Sequence, residues 1–94
     1  MAKLIIPTPL RKFTNERAQF ESRKNTVKDV IHELIEEHEG LRQHLLDDQG
    51  QIRSFIRIYV GDEDIYQLNR ELTPVSDDTV ISIIPAIAGG TNDS

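Results

Sequence analysis

The clearest helical periodicity in this 94-residue chain lies between Thr26 and Gly40, and it limits the folds that are available. Thr26 is placed as an N-cap, and Asp29 follows three residues later as in a capping box. Gly40 is placed to end the helix as a left-handed cap. The apolar positions between them recur at helical spacing and form one stripe: Val27, Val30, Ile31, Leu34, Ile35 and His38. One stripe requires one partner surface, so the sequence predicts a single main helix packed on one face of a sheet.

Short β-rich segments lie on both sides of this helix. Leu4–Ile6 precedes two prolines, and residues 18–22 alternate apolar with polar side chains, so these two segments predict a β-hairpin. Residues 54–60 predict the strongest strand, whose even-numbered aliphatic side chains face the helix. Residues 79–84 predict a last strand that is buried up to Ile84 and ends before Pro85, which has no N–H to donate.

The segment between these two strands has a weaker pattern. Ile65, Tyr66 and Leu68 predict a short irregular strand. Leu72, Pro74 and Val75 are expected to fill the core from a loop. The predicted order is therefore β-β-α-β-(β)-β, an α+β fold with a mixed sheet and two layers.

Composition excludes several functions. The chain has no cysteine, which removes disulfides, thiolate nucleophiles and thiolate metal sites. A net charge of −5 without a basic cluster argues against nucleic acid and anionic membranes as partners. We find neither a signal peptide nor a run approaching the ~20 apolar residues of a membrane span, so a cytoplasmic location is expected.

The histidines do not predict a metal site. His38 follows His32 by six residues, which rotates it about 240° around a helix and so leaves the two side chains on different faces. Asp62–Asp64 lacks the ligand pattern of a calcium loop and predicts a turn. No phosphate-binding glycine motif and no partnered nucleophile is present. The chain is therefore not expected to be an enzyme.

One face of the sheet has the composition of a protein-binding surface. Phe55, Arg57 and Tyr59 alternate with the aliphatic residues of the strongest strand, and Ile84 of the last strand faces the same way. Aromatic side chains and arginine are common in protein interfaces. We therefore predict a partner-binding face here, the alternative being that a loop covers it.

After Pro85 most residues have a small side chain or none. Ala86, Ile87 and Ala88 precede Gly89 and Gly90, and then Thr91–Ser94 follow. Without a Cβ, the two glycines fit a slot too narrow for other residues. From Ala86 to Gly90 the chain spans at most roughly 17 Å. The alternative is an ordinary frayed terminus.

Three stretches together resemble a known family: residues 6–11, residues 55–64 and Ile84–Gly90. They are similar to the ubiquitin-like sulfur carriers of the MoaD/ThiS family, and most to the carriers that serve phosphoserine-dependent cysteine synthesis. The resemblance covers nearly the whole chain. It implies a β-grasp domain over residues 1–86, a Gly-Gly tail over 87–90 and a C-terminal extension over 91–94.

The resemblance also implies a role for the tail. Gly90 would carry a carboxylate that is adenylated and then converted to a thiocarboxylate, Gly89 would keep the tail narrow, and residues 86–88 would line a partner's channel. The chain itself would bind no cofactor. An E1-like adenylyltransferase/sulfurtransferase would use ATP and a sulfide donor, and a pyridoxal-phosphate-dependent cysteine synthase would accept the sulfur. A JAMM-type metalloprotease would release the product.

This chain departs from the family pattern at its end. Members that are ready for use end at Gly-Gly, whereas Thr91–Ser94 follows Gly90 here. We therefore expect proteolysis at the Gly90–Thr91 junction before the carrier can be used.

Other functions remain open on the sequence alone. The sulfur acceptor could belong to molybdopterin, thiamine or another thioacid pathway. The chain could instead be a ubiquitin-like modifier conjugated through Gly90, or a β-grasp interaction module with an inactive tail.

Overall fold

Within residues 1–85, five strands form one mixed sheet in the order β2-β1-β5-β3-β4, and a helix packs on one of its faces. The computed structural model describes residues 1–85, so predictions about residues 86–94 lie outside the described part. The strands and helices are, in chain order, β1 (Ala2–Ile5), β2 (Gln19–Ser22), α1 (Val27–Glu37), α2 (Arg42–Leu45), β3 (Ile56–Val60), β4 (Glu63–Asp64) and β5 (Val80–Pro85).

Strand β5 occupies the centre of the sheet. It runs parallel to β1, where Leu4 lies opposite Ile81, and antiparallel to β3, where Ile58 lies opposite Ile83. The predicted hairpin is confirmed, because β1 and β2 pair antiparallel from Ala2 with Ser22 onward. The mixed sheet is confirmed, and so is the succession of elements, except that the short fourth strand lies at Glu63–Asp64, where a turn was predicted, and not at residues 65–68.

The helix α1 forms where its periodicity predicts. The Thr26 side chain accepts a hydrogen bond from the Asp29 backbone N–H at 3.2 Å, which confirms the N-cap. The aliphatic positions of the stripe are buried, whereas His38 is only half-buried at the end of the helix. They contribute to a single apolar core together with buried residues of β1, β3 and β5, including Leu4, Ile58 and Ile81. The two-layer architecture is thus confirmed.

The prediction for Gly40 is wrong. Helix α1 already ends at Glu37, and Gly40 lies in a 3-10 turn, Glu39–Leu41, without a left-handed backbone. A Cβ at this position would lie 2.9 Å from Cδ1 of Phe13. The ring of Phe13 in turn contacts the ring of His44, with centroids 4.5 Å apart. A small residue is therefore needed for close packing between distant segments rather than for a helix cap.

The segment between β4 and β5 also differs from the prediction. The Asp64 side chain accepts a hydrogen bond from the Tyr66 N–H at 2.9 Å, and this begins a 3-10 turn, Ile65–Gln67, where a strand was expected. Tyr66 and Leu68 are consequently exposed. Of the three residues expected to fill the core, only Val75 is buried, while Leu72 is 65% exposed and Pro74 is also exposed.

Candidate functional site

The predicted tail follows directly from the central strand of the sheet. Strand β5 includes Pro85, one residue beyond its predicted end, and Pro85 lies opposite Ile56 of β3. The pairing of β5 with β1 ends at Ser82, so it is the pairing with β3 that positions the last described residue relative to the domain. The predicted tail residues 86–90 and the Gly90–Thr91 junction lie outside the described residues.

The face of the sheet that points away from α1 is called the outer face here, and it brings together three of the four predicted docking residues. Arg57 lies directly opposite Ile84, and Tyr59 follows two residues later on the same side of β3. Ile84 is 47% exposed, so the prediction of a buried strand up to Ile84 is wrong at this residue. The reason is alternation, because Ile81 and Ile83 point into the core and Ile84 points to the opposite face.

Phe55 does not share this strand face. It precedes β3 in a turn that the Ile56 N–H closes by donating to the Arg53 carbonyl at 3.0 Å. The Phe55 ring is 38% exposed, with the Arg53 guanidinium 5.9 Å from its centroid. Since Phe55 adjoins Ile56, which pairs with Pro85, it lies near the end of β5 from which the predicted tail continues.

An ion pair orients the arginine of the outer face. Arg57 Nη1 lies 3.2 Å from Asp64 Oδ2, and the Asp64 side chain is 13% exposed. The pair contributes little to stability because Arg57 is half-exposed, but it limits the directions that the guanidinium can take. Asp64 is not among the residues predicted for this face. The available signal was that Arg57 and Asp64 flank a tight turn, which places them on neighbouring strands.

The described residues offer neither a metal site nor a transmembrane helix. In the part of the chain from 1 to 85, no three histidine or carboxylate side chains come together in a way that could hold a metal ion. His44 and His38 contact the rings of Phe13 and Phe20 instead. Among the helices of that same part, none has the length and apolar character to cross a bilayer.

Comparison with known proteins identifies the family. The sequence model of the ThiS family matches residues 4–90. This chain belongs to the ThiS family. The sulfur carrier protein CysO of Mycobacterium tuberculosis is 33% identical over 87 residues, which are 90% of this chain and 94% of the relative. The same protein of Mycobacterium bovis matches equally well.

Solved structures support the same conclusion. The Amycolatopsis orientalis BexX/CysO complex contains a chain similar to this ThiS-family protein with a TM-score of 0.86 and 31% identity, covering 96% of this chain and 100% of that chain. The crystal structure of CysO from Mycobacterium tuberculosis gives a TM-score of 0.83 at 29% identity, covering 93% and 100%. The small archaeal modifier protein 1 of Methanosarcina acetivorans, at 21% identity and a TM-score of 0.81 over 95% of each chain, shares the fold.

These findings confirm three predictions. The resemblance to the ubiquitin-like sulfur carriers is confirmed, and so is the β-grasp fold. Sulfur carrier proteins of the ThiS and CysO type are substrate carriers and not enzymes, which confirms that this ThiS-family protein is a carrier and not an enzyme. The docking residues and the tail residues stay predictions.

Proposed function

We propose that this ThiS-family protein carries sulfur as a thiocarboxylate on Gly90, after removal of Thr91–Ser94. The single observation that supports the proposal most is the extent of the family match. The match runs to Gly90 and leaves the last four residues outside. A carrier domain that ends at Gly-Gly, followed by a short extension, is what a precursor of such a carrier would contain.

The chemistry needs only one functional group of this chain, its terminal carboxylate. The carboxylate of a terminal Gly90 attacks the α-phosphorus of ATP, pyrophosphate leaves and an acyl adenylate forms. Hydrosulfide from a donor then attacks the acyl carbon, AMP leaves and the C–O bond is replaced by a C–S bond. No oxidant or reductant is consumed. An E1-like enzyme supplies the site for both steps, and its use of ATP fits a cytoplasmic location.

The size of the described domain and the place where it ends suit this role. The described part of the chain measures 35 × 30 × 25 Å, so the globule stays outside an enzyme's catalytic pocket. The five residues from Ala86 to Gly90 can extend roughly 17 Å beyond the sheet. We propose that the E1-like enzyme contacts Arg57, Tyr59 and Ile84 on the outer face and Phe55 beside the start of the tail.

The relatives favour cysteine synthesis as the use of the sulfur. The curated relatives are sulfur carrier proteins named CysO, and an Amycolatopsis CysO was solved in complex with BexX, which supports complex formation with a protein partner. In the proposed pathway, the thiocarboxylate sulfur adds to the β-carbon of an aminoacrylate on a pyridoxal-phosphate-dependent synthase. A JAMM-type metalloprotease then hydrolyses the acyl bond to release cysteine, and the same class of protease removes residues 91–94 beforehand.

Intact-mass spectrometry tests the proposed function. The chain ending at Gly90 is incubated with the E1-like enzyme, ATP and sulfide. We expect the mass to rise by the difference between sulfur and oxygen, and reactions without ATP should leave it unchanged. An unchanged mass in the complete reaction would contradict the carrier role. Isopeptide-linked adducts in cell extract would instead identify a protein modifier.

Ile84→Glu tests the outer face. We expect the affinity for the E1-like enzyme to fall at least about tenfold, because a charge would replace an exposed aliphatic side chain at the centre of the proposed contact. Val80→Glu is the matched control, since Val80 is also exposed on the outer face of β5, about 13 Å away along the strand. Calorimetric titration measures both. Equal losses in the two variants, or no loss in Ile84→Glu, would remove this face from the proposed contact.

A further inference from the structure

A cleft lies on the helical side of the molecule, away from the outer face. It is enclosed by α1, by α2 with the loop that follows it, and by a 3-10 turn at Arg70–Leu72, and its volume is about 540 Å³. This volume falls within the range of ~300–1,000 Å³ that is usual for binding pockets. We call it the cationic cleft, for the side chains described below.

The floor of the cationic cleft is aliphatic. Ile31 and Leu46 belong to the core, and Ile52 packs against it while remaining half-exposed. Leu72 also lines the cleft and is 65% exposed, the highest value among the exposed large hydrophobic residues of the described chain. An exposed aliphatic group beside a concave apolar floor is a feature of interaction sites rather than of ordinary surface.

The rim of the cleft has the opposite charge to the whole protein. Lys28, Arg42 and Arg70 line it, against a single carboxylate, Glu71, among the described lining residues. The chain as a whole carries a net charge of −5. Arg42 also forms an exposed ion pair with Glu39, in which Nε lies 3.6 Å from Oε1. This pair is weak enough for a competing anion to replace Glu39. A local excess of positive charge in an acidic protein attracts acidic partners.

The turn that carries Arg70 and Leu72 is strained and firmly held. Arg70 has φ of +54°, in the left-handed region that a non-glycine residue enters at a cost. Thr73 is 4% exposed, and its hydroxyl donates to the Arg70 carbonyl at 2.6 Å and accepts from the Asn69 N–H at 3.0 Å. These bonds hold the turn in a conformation that keeps Leu72 out of the core. Strain of this kind persists where the surroundings enforce it, and it is common at binding sites.

We propose that the cationic cleft binds a short segment of a partner protein in which aliphatic side chains alternate with carboxylates. The aliphatic floor accepts the apolar side chains, and Lys28 and Arg70 receive the carboxylates. Gln49, Gln51 and Asn69 also line the cleft, and a side-chain amide can hydrogen-bond to a peptide backbone. The site does not depend on the chemistry at Gly90, so a partner could be held there while the tail is in an enzyme.

Nuclear magnetic resonance titration of the full 94-residue chain tests the proposal. The probe is a short synthetic peptide of alternating leucine and aspartate with blocked ends, and the control peptide replaces each aspartate by lysine. We expect the amide signals of Ile31, Leu46 and Leu72 to move with the acidic peptide only. The affinity should fall as salt rises, because the recognition is partly electrostatic.

Matched variants assign the contact to individual side chains. Arg70→Glu is expected to weaken binding of the acidic peptide at least about tenfold, whereas Arg17→Glu, on an exposed arginine that does not line the cleft, should leave it unchanged. Arg70→Gly removes the charge while tolerating the positive φ, so the turn is expected to keep its conformation and a loss of binding is assigned to the missing guanidinium. Leu72→Ser should weaken binding and Leu68→Ser should not, since Leu68 is exposed but does not line the cleft.

Four results would overturn the proposal. One is equal binding of the lysine peptide, and another is an unchanged affinity in both Arg70 variants. The third is movement of the cleft signals with rising protein concentration in the absence of peptide, which would assign the surface to a second copy of the chain. Signal changes confined to residues of the outer face would likewise exclude the cleft.

Discussion

Cutting the chain after Gly90 is expected to turn a protein that cannot be adenylated into one that can. In the 94-residue chain the Gly90 carbonyl is part of the amide bond to Thr91, so there is no carboxylate to attack ATP. ATP–pyrophosphate exchange with the E1-like enzyme measures the difference. We expect background exchange with the 94-residue chain and full exchange with the chain that ends at Gly90.

Two further arms make this experiment specific. In the shortened chain, Gly90→Ala is expected to slow exchange by about tenfold or more, because a Cβ must enter a slot shaped for glycine. Incubating the 94-residue chain with a JAMM-type metalloprotease should remove Thr91–Ser94 and restore exchange, and a zinc chelator should prevent both. If the 94-residue chain supported exchange as well as the shortened one, removal of residues 91–94 would not be required.

Leu34→Ala is expected to remove much of the stability of the domain. Leu34 is fully buried in the centre of the helical stripe, between the helix and the sheet. Truncating a buried leucine costs about 2–5 kcal/mol through lost burial and the cavity that remains. Small domains are stable by only about 5–15 kcal/mol in total. Urea unfolding followed by circular dichroism should therefore show a large fall in the midpoint.

Glu36→Ala is the matched control for this variant. Glu36 lies two residues away on the same helix and is exposed, so its substitution should change the free energy of unfolding by less than about 0.5 kcal/mol. A loss below about 1 kcal/mol in Leu34→Ala would mean that the helix and sheet repack around the cavity, contrary to a core made of one stripe and one sheet face.

The parts of the fold that follow a period were predictable from the sequence. The stripe from Val27 to Ile35 fixes the buried side of α1, and the alternation in β3 and β5 separates core residues from the outer face. In these elements several residues follow the same period and indicate the same buried side. A single residue that departs from the period therefore does not change the prediction.

The remaining errors arise where contacts between distant residues decide the structure. Local chemistry at Gly40 favours a helix cap, but its role depends on Phe13, which is far away in sequence. Leu72 looks like a core residue, yet the hydrogen bonds of Thr73 and the backbone of Arg70 hold it outside. Phe55 continues the alternation of β3 in sequence, but it lies in the turn that follows Arg53, and β3 begins only at Ile56.

The candidate site also has a part that strand periodicity predicts and a part that depends on contacts between separate segments. Arg57, Tyr59 and Ile84 could be placed on one face from strand periodicity alone. The ion pair with Asp64 required the turn geometry, and the cationic cleft is assembled from three segments whose proximity no local pattern indicates.

The central position of β5 has a consequence for biosynthesis. Until this strand is inserted, the sheet consists of two unconnected halves, β2 with β1 and β3 with β4. The ribosome produces β5 after both halves, so a nascent chain that stops early has no continuous sheet on which α1 can close the core. Folding must therefore wait until residues 80–85 have been translated, and the segment that leads to Gly90 is the one whose arrival completes the domain.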